Sequence, residues 1–221
     1  MCFSATASFA AAGVTTVAGG AAVRATRRPA QLLLAVIPLF FAFHQAAEGF
    51  LWRALTQPEH AGWIRPAMFS FLAVAEVVWP FWVPLAIWAQ EDDPRRKRIL
   101  AAVLVLGCAL ALARAYGLYA WPVSASIVGR HIQYQLSAPY LVRPIGDVCY
   151  LLVTVGPPLL SSNRLIRVLG VVVLASFVLA ELVFSQTAFS VWCFFAAILS
   201  AFIVAALKRR AVPQASESFA A

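Results

Sequence analysis

His44 and Glu48 stand four residues apart in His44-Gln-Ala-Ala-Glu48, and Arg143 and Asp147 repeat the interval in Arg143-Pro-Ile-Gly-Asp147. On a helix, residues i and i+4 share a face, so each pair sets two polar heads side by side. Imidazole beside carboxylate is a mixed ligand set for a divalent metal; zinc, iron and manganese all accept it, and the pattern does not choose among them. Glu76, alone in Phe71-Leu-Ala-Val-Ala-Glu-Val-Val-Trp79, offers a further ligand or a general base toward metal-bound water. Asp147 and Arg143 join it as candidate catalytic groups. With Arg114 and Glu181 these make seven ionisable side chains inside stretches otherwise apolar enough to cross a membrane. A charge in the hydrocarbon core costs at least roughly 2.5–3.5 kcal/mol, so each of the seven needs a partner or a purpose.

Each also has a plainer reading. His44 fits a hydrogen-bonded core histidine, Arg143–Asp147 an ion pair within one helix, and Glu181 a side chain reaching outward from a helix end. Glu76 resists this most, because nothing polar lies near it in the chain. Pro144 and Gly146 loosen the helix around Asp147, and Pro80, four residues after Glu76, is expected to leave the Glu76 carbonyl free.

The elements that must position these residues are membrane spans. Of 221 residues, 62% are hydrophobic and 12% charged, against about 25% charged in a soluble domain. Apolar runs predict an all-α polytopic bundle of seven transmembrane helices at about Ala5–Val23, Leu32–Arg53, Pro66–Gln90, Ile99–Ala120, Pro139–Ser161, Leu165–Ser185 and Ala188–Leu207. The bundle occupies residues 1–210, and residues 211–221 read as a disordered tail. The first span, rich in Ala, Gly, Thr and Ser, suits close helix packing through Gly13, Gly19 and Gly20. It has no basic residue before it, unlike a secretory signal. Four scattered cysteines argue against a disulfide framework.

Twelve of the seventeen Lys and Arg residues fall on one side of this topology: Arg24, Arg27 and Arg28; Arg95 to Arg98; Arg164 and Arg167; and Lys208 to Arg210. The positive-inside rule makes that side cytoplasmic, with the N-terminus outside. The net charge of +8 is therefore a topology signal, and nucleic acid is not expected as a partner. At 1.5 Å per residue, His44, Glu48, Glu76, Asp147 and Arg114 lie about 14, 8, 15, 12 and 9 Å below the outer ends of their helices. Arg143 and Glu181 lie about 6 Å below theirs. All seven share the outer half of the bilayer, which predicts one polar cavity there. Four carboxylates against two arginines leave it near −2, a deficit that a divalent metal, protons or a cationic ligand would fill.

The opening Met1-Cys-Phe-Ser-Ala-Thr-Ala-Ser-Phe9, with Glu48-Gly-Phe-Leu-Trp52 at the end of the second helix, resembles a family of bacterial multi-pass membrane proteins of unknown function. The resemblance implies a bacterial inner-membrane protein and supplies no catalytic roles. It draws attention to Cys2 and Ser4: the polar N-terminal segment starts at the outer surface, where it is placed to fold inward and bring a Cys2 thiolate to the metal. Seven helices with polar residues at one face are also similar, in architecture alone, to the intramembrane zinc hydrolases that include alkaline ceramidases and adiponectin-type receptors. Their His-x-x-x-His pair on the last helix has no counterpart here, so their zinc ligands do not transfer.

Three functions follow as expectations. The first is a metal-dependent enzyme acting on a lipid or apolar substrate, with His44, Glu48, Glu76 and Cys2 as candidate ligands. The second is a proton- or cation-coupled transporter using the same acids. The third is a receptor or sensor for a small ligand. The aromatic residues near span ends read as interfacial anchors, and the long segment from Pro122 to Gln135 reads as an outer loop that caps the cavity and brings His131 toward it.

Overall fold

The computed structural model describes residues 4–137, 143–184 and 196–209, without the side chains of Arg143 and Glu181. Helix α1 (Ala5–Arg24) starts at Ser4, whose Oγ accepts a hydrogen bond from the Ala7 amide at 3.2 Å. The second apolar run forms α2 (Pro29–Ala35) and α3 (Ile37–Thr56), separated at Val36 because Pro38 has no N–H to continue the ladder. A 3-10 turn, Pro58–Trp63, leads to α4 (Ile64–Leu72), a π-helical turn (Ala73–Val78) and α5 (Trp79–Trp88). Then follow α6 (Pro94–Ala120), α7 (Arg143–Leu160), α8 (Arg164–Phe184) and α9 (Ala196–Arg209). Residues 188–195 of the expected seventh span and the tail from 210 onward lie outside the described residues.

Among the described residues, four helical stretches are long and apolar enough to cross a membrane: Ala5–Arg24, Pro29–Thr56, Pro58–Trp88 and Pro94–Ala120. Ile145–Leu160 and Ile198–Lys208 are shorter apolar helices. Of the small residues in α1, Gly19 does meet a neighbour closely, the Leu39 side chain, while Gly13 and Gly20 face open space.

The all-α expectation needs one correction. The segment read as a loop forms an antiparallel hairpin, β1 (Val123–Val128) and β2 (His131–Leu136), paired from Val123↔Leu136 to Val128↔His131. The two-residue connection places Gly129 at φ 62°, where glycine has no Cβ to clash. Burial along β1 alternates, and from β2 Ile132 is packed with Leu51, Trp52, Met68 and Phe71. The hairpin is thus fastened to the ends of α3 and α4 by its apolar side.

The π turn has a local cause. Pro80 donates no hydrogen bond, and its ring would collide with the carbonyl four residues earlier; a widened turn just upstream relieves both. Gly107 of α6 packs directly on the Pro80 carbonyl oxygen, an approach that leaves no space for a Cβ.

At the opposite end from the hairpin, the loops are tied together. Glu91, 1% exposed, accepts from the Ser162 amide at 2.8 Å and the Asp93 amide at 3.1 Å. Arg96 donates to the carbonyls of Leu160 and Ser161 at 2.9 and 3.2 Å, and Arg167 donates to Ser161 O at 3.3 Å. Two of the basic residues read as topology signals therefore also satisfy carbonyls at the C-terminal end of α7. Desolvation alone would raise the Glu91 carboxyl, but hydrogen bonds from Ser162 and Asp93 and the Arg96 charge outweigh it and hold Glu91 below the usual glutamate range. A depressed carboxyl stabilises the fold fully above its ordinary value of 4.5 and loses that contribution as the pH falls through the lower folded value. Glu91→Gln is expected to lower the melting temperature in detergent at neutral pH, by a deficit that shrinks as the pH falls through the lowered carboxyl value. Parallel melting curves across that range would contradict this role.

Candidate functional site

His44 is buried in α3 at 1% exposure. Its Nε2 lies 3.0 Å from the carbonyl oxygen of Phe71. A carbonyl only accepts, so Nε2 carries the proton and donates it. The imidazole also stacks on the Phe71 ring, with centroids 3.8 Å apart and planes at 16°. Phe71 in turn stacks on Tyr134 of the hairpin at 4.5 Å and 9°. Three rings from α3, α4 and β2 thus form one column from the hairpin to His44.

The widened turn organises the rest. Tyr150 of α7 donates its hydroxyl to the Ala75 carbonyl at 2.7 Å, and Thr154, one turn on, donates to Tyr150 O at 2.7 Å. The side-chain donors near Pro80 are therefore received by the carbonyls of Phe71 and Ala75 rather than by that of Glu76. Glu76 points instead to Arg114 of α6, with Oε2 3.1 Å from Nη1. The other guanidinium nitrogen, Nη2, lies 2.8 Å from Asp147 Oδ1 on α7. Gly146 leaves room for this: a Cβ there would stand 3.1 Å from Arg114 Nη2.

Three of the seven charges are thus brought together, Glu76, Arg114 and Asp147, with two carboxylates on one guanidinium. Glu76 and Arg114 are 12% and 17% exposed at the side chain and Asp147 is 63%, so the inner contact is the desolvated one. The Asp147 carboxylate is bound across helices by Arg114, while its expected pairing within the helix falls on the Arg143 side chain, outside the described residues. Glu48 is fully buried one turn beyond His44. Among the described residues no three His, Cys, Asp or Glu side chains gather as metal ligands. Cys2 and the side chains of Arg143 and Glu181 lie outside the described residues. Ser4 is exposed and caps α1 rather than facing the bundle interior. His131 is half-buried at the start of β2.

Beside His44 the helices enclose a cavity of about 90 Å³, well beyond the roughly 10–15 Å³ that one water requires. Its wall is apolar, with Trp79, Leu169 and Ile203 among its residues, and His44, Tyr150 and Thr154 supply its imidazole and hydroxyls. Tyr150 and Thr154 were not singled out from the sequence. Their signal was the spacing Asp147, Tyr150, Thr154, which puts all three along one side of a helix.

Arg114→Met would leave Glu76 desolvated without its counter-charge, and is expected to cost about 3–5 kcal/mol of stability. Adding Glu76→Gln should recover most of that loss, while Asp147→Asn alone should cost no more than about 1 kcal/mol. Thermal melts of these three variants and of Glu76→Gln alone, in detergent, measure this, and a strictly additive double variant would show that the two side chains do not depend on each other.

No curated protein and no solved structure matched the chain, so the architectural similarity to the ceramidase and adiponectin-receptor group gains no support. A family model did match, and it covers nearly the whole sequence, including the N-terminal motif, α3 and the residues around the π turn. Over residues 1–218 the match is to a family of unknown function, DUF6629, and the chain belongs to that family.

Proposed function

We propose that this is an integral membrane protein that takes a lipid or another apolar molecule into the cavity beside His44. The observation that carries this reading is the cavity itself: apolar walls, only three polar residues among the described ones lining it, and a position among helices suited to hydrocarbon. Seven crossings of a bacterial inner membrane, with the N-terminus outside and the C-terminus cytoplasmic, accord with the basic clusters at the end of α1, the start of α6, the start of α8 and the end of α9. A reporter fused to the tail is expected to be active only in the cytoplasm; activity on the outer side would reverse the orientation.

A specific observation also favours the metal-dependent enzyme. Donation from Nε2 to Phe71 O fixes the ring, and a backbone carbonyl commonly orients metal-bound imidazoles in this way. Glu48 follows one turn later on the same helix, and Glu76 stands on the adjoining π turn. Zinc, iron or manganese would suit such donors and would supply a Lewis acid to an apolar substrate.

One preparation tests both. Protein purified from its native membrane in mild detergent is expected to yield an extractable apolar molecule. Val173 of α8 is part of the cavity wall, and Val173→Trp, which fills the cavity, should reduce its occupancy at least about ten-fold. The absence of any such molecule, together with failure to take up a hydrophobic probe, would sink the binding reading. Elemental analysis of the same sample should find stoichiometric metal that His44→Gln removes; a metal-free preparation that added metal leaves unchanged would end the enzyme reading.

A further inference from the structure

The donors on the cavity wall are already committed. His44 Nε2–H goes to Phe71 O, the Tyr150 hydroxyl to Ala75 O, and the Thr154 hydroxyl to Tyr150 O. In the neutral imidazole, Nδ1 then carries no proton. Trp79 brings an indole N–H, an uncharged donor. No Lys, Arg, Asp or Glu side chain is among the described residues lining the cavity. Arg114, the cation on the neighbouring helix, is held by Glu76 and Asp147 away from that lining.

An anion entering this space would meet neither a counter-charge nor a set of convergent N–H groups, and burying it would be costly. A hydrocarbon chain would meet dispersion contacts along the apolar lining. A single neutral oxygen has less to lose, and its own O–H would find an acceptor in the Thr154 hydroxyl oxygen on the lining.

We infer that the cavity selects the uncharged end of a lipid chain, either hydrocarbon or a chain ending in one neutral oxygen, and excludes carboxylate and phosphate groups. A lipid bound here leaves any charged headgroup outside the bundle. The inference rests on the proposal that the cavity binds an apolar molecule, and it adds the feature by which one chain is chosen over another.

Full-length protein in nanodiscs is titrated at neutral pH with radiolabelled 1-dodecanol and dodecanoate, which share a chain and differ in the charge at its end. Binding to the cavity is the part lost in Val173→Trp, or in Val173→Phe should the larger side chain prevent folding. Dodecanol is expected to bind in this cavity-dependent way, and dodecanoate at least ten-fold more weakly. Cavity-dependent binding of dodecanoate as tight as that of dodecanol, or tighter, would overturn the inference while leaving the apolar-binding reading in place. Cavity-dependent binding of neither would overturn both.

Discussion

Pro80 cannot give a hydrogen bond, and the site around it is arranged by that fact. A proline within a long apolar helix obliges the turn before it to open. Here the chain answers with a π-helical turn over Ala73–Val78. Carbonyls around that turn then accept from side chains of other helices: His44 from α3 and Tyr150 from α7. The same turn carries Glu76 toward Arg114, and α6 can pack closely only because Gly107 presents no side chain to the Pro80 carbonyl. In a medium without water, each of these carbonyls needs a partner within the protein. Satisfying them binds four helical segments together around one point.

This accounts for what could be read in advance and what could not. His44, Glu48, Glu76, Arg114 and Asp147 stood out because an ionisable group in an apolar run is costly wherever it is buried. Topology and depth predicted one cavity for all seven charges, but did not single out Glu76, Arg114 and Asp147 as the three that meet. Tyr150 and Thr154 did not stand out, since a hydroxyl in an apolar helix can bond to a nearby carbonyl and carries little penalty. The π turn left no compositional trace; Pro80 marked its place, but which carbonyls would be taken depended on the helices that arrived there.

The hairpin was missed for a different reason. Val123-Ser-Ala-Ser-Ile-Val128 and His131-Ile-Gln-Tyr-Gln-Leu136 alternate at the period of a strand, with a glycine between them. Among long apolar runs, such a polar stretch reads first as a connecting loop. Its pairing gives Tyr134 a fixed direction, and the ring column from Tyr134 through Phe71 to His44 depends on that register. A shift of one residue would turn Tyr134 to the other face of the strand and break the column.

The basic residues do double duty, and that has a mechanical consequence. Arg96 and Arg167 hold the terminal carbonyls at the end of α7, while Glu91 holds the turn that follows. That end of the bundle is cross-linked through backbone atoms, so side-chain repacking alone does not release it. The other end is closed by stacked rings and apolar contacts, which slide at lower cost than charge-assisted hydrogen bonds break. The bundle is therefore built like a pair of tongs, with a stiff pivot among the charged loops and compliant tips beneath the hairpin.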